Sequence, residues 1–239
     1  MVTHTNEPEP SDFLQGPLDV AAFPETLTAH TVTPGPRPRL HGYDVEGDLS
    51  RHYGPTDLLL LSLTGELPSR KTSAALAVAL TFLAPLSVEH AAVHAAALAR
   101  LCGTASGSIV GVAAIGLAEH ARVLLEEHAE LLAWLASRDT TLPSPFRATD
   151  PADAAAGARL REALRPTGFA VPELAQGPTR DAALLTVLFR CGLQERSQLE
   201  AAIVTARLPS ALAEAMSVKV TDFNHYPTNL PRYQYQEQP

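Results

Sequence analysis

Between residues 55 and 220 the chain is a succession of Ala- and Leu-rich runs, each cut by a glycine or a proline. That punctuation dictates most of what it can fold into. Ala and Leu are strong helix formers, and the aromatic residues that favour strands make up only 5% of the chain. Glycine ends a helix by taking a left-handed conformation, and proline cannot continue one. Reading the runs between these stops predicts a helix over 57–63, capped by Thr56 and ended by Gly65, and another over 71–83, stopped by Pro85. Further helices are expected over 88–102, 112–137, 151–165, 179–191, 194–206 and 210–220, with 103–111 as a glycine- and serine-bearing connection. The expected class is all-α.

Residues 1–39 are rich in Pro and Thr and end in Pro34-Gly-Pro-Arg-Pro38, which predicts an extended arm. A short strand or hairpin fits 40–45, where Gly42 permits a turn. Prolines, Thr and Asp cluster over 138–153, the expected hinge between a main body and a smaller helical lobe. An irregular polar tail with three tyrosines is expected over 224–239.

Composition excludes several classes of function. Hydrophobic residues at 46% against 18% charged residues support a packed core and exclude wholesale disorder. A net charge of -8 argues against a general polyanion binder, so no nucleic-acid partner is expected. The first twelve residues are polar and acidic, unlike a secretory signal, and the apolar stretch 74–86 is too short to span a bilayer. A soluble protein without a membrane partner is expected. Cys102 and Cys191 stand in isolated contexts, which offers neither a zinc site nor a disulfide framework and points to a reducing cytoplasm.

The chain carries no dinucleotide fingerprint, P-loop, HExxH or GxSxG. His90 and His94 are spaced to share a helix face, but no third ligand is near in sequence, so no metal is expected. Glu119 and His120 read as a solvated helix edge, and Asp181 as a helix N-cap or first-turn carboxylate. Arg207 lies in an apolar helix and needs a partner there: a carboxylate ligand, Glu200 or Glu214.

His41-Gly-Tyr-Asp-Val45, followed by Pro55-Thr-Asp-Leu-Leu-Leu-Leu-Ser-Leu-Thr-Gly-Glu-Leu-Pro68, resembles the citrate synthase family, including its shorter citryl-CoA lyase-like members. In that family an "RGYD" turn precedes a helix ending in "LLxGELP". Further segments follow in the family's order. Glu89-His90 with Arg100 is similar to "DH…ST…AR", and Ala113-Ala-Ile-Gly116 to the approach to "GPLHGGAN". Pro145-Phe-Arg-Ala-Thr-Asp-Pro151 resembles a worn "PGFGHxxYxxxDPR", Asp181 to Gly192 the helix opened by the catalytic aspartate, and Leu230-Pro-Arg-Tyr-Gln-Tyr235 the terminal "RPRxxYxG". The resemblance spans residue 40 to the end.

It implies a citrate synthase-like all-α fold: a large helical domain from 40–139 and 207–239, and a small lobe over 140–206. It also implies acyltransferase or lyase chemistry that forms or cleaves a carbon–carbon bond between an acyl-CoA and a 2-oxo acid. Coenzyme A enters as a thioester substrate, with no covalently bound cofactor. Asp181 corresponds to the base, His90, Arg100, Arg207 and Arg232 to substrate-binding groups, and His120 or Glu119 to the thioester-binding histidine. Family members pair through helices, and 74–86 and 98–117 fit that role in a homodimer, with the C-terminal arm wrapping the partner. A heteromer with a complete paralogue is the further possibility that a composite site opens.

The departures from the family pattern are as informative. Counting from Gly116, Glu119 takes the histidine's place and His120 reaches it only with a one-residue shift; "GFGH" has become Pro145-Phe-Arg-Ala148, without an imidazole. The arginine of "DPR" is Ala152, and Leu230 replaces a terminal arginine. Removing one oxyanion donor costs about two to three orders of magnitude in rate. Negligible turnover of oxaloacetate with acetyl-CoA is therefore expected. Altered specificity is one reading, and a catalytically inactive paralogue that binds CoA or an organic acid, or serves as a partner subunit, is the alternative. A helical protein that merely mimics these motifs is the third.

Overall fold

The hairpin predicted at 40–45 forms between Arg39–Leu40 (β2) and Tyr43–Asp44 (β3), and Val32–Thr33 (β1) adds to it to make a three-stranded antiparallel sheet. His41 and Gly42 are the two-residue turn, with φ of 46° and 85°. Such left-handed pairs match the twist of the flanking strands. The structure, a computed structural model, describes residues 28–137 and 139–218. Most of the proposed N-terminal arm, the terminal motif at 230–235 and Arg232 lie outside them.

The rest is helical: Pro55–Thr64 (α1), Arg70–Leu83 (α2), Ala91–Leu101 (α3), Ser106–Glu127 (α4), Ala129–Ala136 (α5), Pro151–Leu164 (α6), Arg180–Arg190 (α7) and Arg196–Ser217 (α8). Helical turns at Val45–Leu49 and Ser50–His52 lead into α1. The stops act as expected at Gly65, whose φ of 80° closes α1. The cap of α1 is Gly54 rather than Thr56. The Gly54 N–H donates to the Asp57 carboxylate at 2.7 Å, and Pro55 follows at the first position, where no amide hydrogen is missed.

Two expectations fail because packing overrides local preference. The segment 103–111 is not a connection throughout: α4 begins at Ser106 and carries Gly107 and Gly111 inside it. Each glycine costs the helix about 1 kcal/mol, but Ile109 and Ala113 between and beyond them are buried against α3 and α8, which holds the turn helical. The helix then ends at Glu127 rather than 137, and α5 resumes after His128. Likewise 194–206 and 210–220 are one helix, α8, with Pro209 in its interior. Proline forfeits a backbone bond there, but Ala202, Ile203 and Ala206 before it and Ala211 and Ala215 after it continue one buried stripe. The Ser210 hydroxyl beside it donates to the Ala84 carbonyl beyond α2.

Leucines from α1, α2, α5, α6 and α7 join the second half of α4 and the first half of α8 in the larger core. A smaller core of Ala92, Val93, Ala96, Ile109, Ala113, Leu117, Ala211 and Ala215 binds α3, the first half of α4 and the second half of α8. Its small side chains bring three helix axes close together, and the candidate site lies where the two cores meet. Among the described residues α4 is the one helix long and apolar enough to cross a membrane, with 33% of that stretch buried. Its place in the smaller core and its charged second half account for it as a core helix with one open face.

Candidate functional site

α3 begins at His90, which caps it: the Ala92 N–H donates to His90 Nδ1 at 3.3 Å. α4 approaches α3 at Gly116, where a Cβ would stand 2.8 Å from the Ala92 Cβ and 3.0 Å from its Cα. No other residue fits that gap without moving a helix. One turn further along α4, His120 consequently meets His90. The His90 Nε2 and His120 Nδ1 atoms are hydrogen-bonded, and the ring planes lie 15° apart with centroids 4.4 Å from each other. With two nitrogens in direct contact, the near-parallel planes mean that the rings meet edge to edge.

α8 contributes Arg207, the one charged side chain buried among the described residues at 5% exposure. Its Nη1 lies 3.5 Å from His120 Nδ1, and its Nε has no hydrogen-bond partner. α7 contributes Asp181 in its first turn, after the Thr179 cap. That cap is fixed by a short antiparallel bridge. The Thr179 N–H donates to the Phe146 carbonyl and the Ala148 N–H to the Gly177 carbonyl, both at 2.8 Å. Arg180 ties the same helix start to the end of α2 through the Phe82 carbonyl at 3.0 Å.

These groups share one electrostatic field. Burial lowers the pKa of Arg207, the Asp181 charge opposes that shift, and Arg180 adds to it. A guanidinium starts so high that Arg207 keeps its charge at neutral pH. Burial and then the Arg207 cation push His90 below its ordinary value. His120 is lowered by burial, Arg207 and His90, with Asp181 opposing. At neutral pH the site is a pair of uncharged imidazoles beside a buried cation, within the field of the Asp181 charge. That set can hold an anionic ligand, donate a hydrogen bond to a carbonyl and accept a carbon-bound proton.

The structure separates the remaining sequence candidates. Glu119 is not in the cleft: its carboxylate pairs with Arg122 at 2.8 and 2.9 Å, on an exposed face that also carries Glu126. One residue of helix rotates a side chain by about 100°, and His120 takes the inward direction. Arg100 sits at the far end of α3, roughly 15 Å along the axis, and no hydrogen bond joins it to the cluster. His94 is exposed, and no group of three metal-ligating side chains occurs among the described residues. The loop over 145–150 contributes a buried Phe146, while the Arg147 Nε donates to the Leu142 carbonyl. Sequence reading missed the role of Gly116 in setting the α3–α4 distance and that of Arg180 at the cluster's edge. The small residue facing Gly116, Ala92, was the available signal.

No family model matches the sequence, and no curated protein sequence matches it. Solved structures do resemble the fold. Citryl-CoA lyase from Hydrogenobacter thermophilus superposes with a TM-score of 0.64 at 16% identity, over 89% of this chain and 95% of that one. ATP citrate lyase from Methanothrix soehngenii, in complex with citrate and coenzyme A, gives 0.55 at 12% identity over 99% of this chain and 47% of its own. This chain therefore has the all-α, citrate synthase-like fold.

Proposed function

We propose that the protein forms or cleaves a carbon–carbon bond between an acyl-CoA and a 2-oxo acid. The observation that carries this reading is the approach of the buried Arg207 on α8 to His120 on α4, with the Asp181 charge on α7 acting on both, in a citrate synthase-like fold. In the forming direction Asp181 takes a proton from the carbon next to the thioester carbonyl. The electron pair moves onto the carbonyl oxygen, which accepts a hydrogen bond from His120. The resulting enolate attacks the ketone of the oxo acid, the thioester carbonyl re-forms, and the ketone oxygen, now an alkoxide, takes a proton from solvent while Asp181 returns to solvent the one it removed. Arg207 holds a carboxylate of that acid, as its buried guanidinium demands an anion. The likeness to proteins whose names carry citryl-CoA and citrate supports this choice of substrate class.

A second reading, a non-catalytic binding or partner subunit, is favoured by one observation: the segment 146–148 supplies no imidazole to polarise the ketone. Mass-spectrometric detection of the coupled acyl-CoA from a panel of short acyl-CoAs with 2-oxo acids, and of acetyl-CoA and oxaloacetate from citryl-CoA in reverse, separates the two. Product that disappears in Asp181→Asn supports the enzyme. Absence of product with every pair, alongside retained citrate binding, supports the binding subunit.

α3 and α4 expose Leu98, Val110, Ile115 and Val123, and we propose a homodimer interface through these two helices. A monomer by sedimentation at micromolar concentration would remove that assignment. The two free thiols fit a cytoplasmic setting.

A further inference from the structure

We propose that His90 is a positioning residue which fixes the tautomer of His120, so that His120 presents its Nε2–H, and only that hydrogen, to the ligand. The inference rests on reading His120 as the donor to a thioester carbonyl. It departs from the family resemblance, in which the histidine matched by His90 contacts the oxo acid itself.

Donors and acceptors around the two rings fix where the protons sit. The Ala92 N–H can only donate, and it points at His90 Nδ1, so that nitrogen carries a lone pair. A neutral His90 then carries its proton on Nε2, the atom bonded to His120 Nδ1. His90 is accordingly the donor in the imidazole pair and His120 the acceptor. The other side of the pair is compatible with this, but its contact is long. Arg207 has donors only, and its Nη1 faces His120 Nδ1 at 3.5 Å, so a proton on that nitrogen would be repelled. A contact of that length does not hold the tautomer alone, so the hydrogen bond from His90 is what leaves His120 with its single proton on Nε2.

The surroundings keep the relay neutral. His90 lies at the positive end of α3, where an imidazolium is disfavoured. Arg207 from α8 lies against the His120 ring and its charge reaches His90, and Asp181 and Arg180 lie at the start of α7. Gly116 sets the whole arrangement by letting Ala92, and hence the His90 cap, sit against α4. A histidine free to exchange tautomers would offer its hydrogen from either nitrogen. This one is pre-oriented before a ligand arrives.

Nitrogen NMR of the full-length protein labelled in its histidines, at about pH 8 where free imidazoles are neutral, tests this directly. The wild type should show one His120 tautomer, with a protonated Nε2 and an unprotonated Nδ1. A coupling across the hydrogen bond should link His90 Nε2 to His120 Nδ1. The variant His90→Asn keeps an N-cap acceptor for Ala92 but removes the relay, and His120 should then average between tautomers. A wild-type His120 protonated on Nδ1, an averaged His120, a missing cross-bond coupling, or an unchanged tautomer in His90→Asn each overturns the proposal. The wild-type spectrum decides even where the variant does not fold. Because no substrate is present, these outcomes are independent of whether the protein turns over any thioester.

Discussion

Glu119 and His120 are consecutive on α4, yet they belong to two different kinds of surface. Outward, Arg122 ties Glu119 and Glu126 into an exposed ladder of charges one turn apart. Inward, His120 is wedged between His90 and the buried Arg207, with the Asp181 charge in range. Exposed ion pairs are screened by water and exchange partners at little cost. The inner groups have lost that solvent and must satisfy one another, so each fixes the next. Carboxylates near a histidine are thus a poor guide to a site; the face of the helix that is desolvated is a better one.

The sharpest way to break the contrast is to remove the cation from each face. Arg207→Met comes near the length of the side chain and removes a buried charge whose Nε has no hydrogen-bond partner, with urea unfolding as the check that the fold is retained. The substitution should abolish measurable citrate binding by calorimetry and reduce any turnover by about two to three orders of magnitude. Arg122→Met on the exposed face should change neither. Equal losses in both variants would mean that the inner corner is not a ligand site.

A second contrast lies along α4 in its glycines. A methyl at Gly116 collides with Ala92, whereas Gly107 and Gly111 have nothing within 4 Å of an added Cβ. Gly116→Ala should cost about 1–3 kcal/mol in urea unfolding and separate the imidazoles. Gly111→Ala should instead gain about 0.5–1 kcal/mol, the ordinary helix preference. If both substitutions stabilise, α3 and α4 do not approach as closely as described.

How far the sequence discloses these features follows from where the deciding contact lies. Local signals sufficed for the Gly42 turn, the stop at Gly65 and the first-turn place of Asp181, because each depends on a few neighbouring residues. The all-α class followed from the same local preferences summed along the chain. Pro209 and the glycines at 107 and 111 misled because their local cost is outweighed by a buried stripe from distant helices. The choice between Glu119 and His120 was beyond local reading for a related reason. It is a matter of helix rotation, and that rotation is set by Gly116 against a residue on another helix. Motif alignment counted positions from Gly116 and so landed one residue short of the inward direction.

Acid should unload the two faces in different pH windows. His90 and His120 have folded-state pKa values below their ordinary one. The unfolded chain therefore binds protons first as pH falls below about 6.5. Stability from this pair is complete above that pH and is lost as pH falls through the lowered folded values. Glu119 is also lowered, by its hydrogen bonds from Arg122, so its contribution is present above about 4.3 and disappears only in stronger acid. Urea midpoints measured across pH should begin to fall near 6.5 in the wild type. The fall should flatten in a variant lacking both histidines; an unchanged profile would place the inner titration elsewhere.

Glu119→Gln should produce the smallest effect and the cleanest discrimination. It preserves the shape of the side chain and deletes only its charge, leaving Arg122 with Glu126 as its remaining anion. A solvated pair that loses one of two carboxylates has water and the second carboxylate to replace it, so unfolding should not change beyond measurement scatter. Ligand binding and any turnover should likewise match the wild type, because the carboxylate faces away from His120. Were Glu119 the group that takes the histidine's place in the cleft, this substitution would relieve repulsion beside Asp181 and raise turnover. Lost or raised turnover at constant stability would therefore put the wrong face of α4 in the site, and would reverse the assignment of His120 with it.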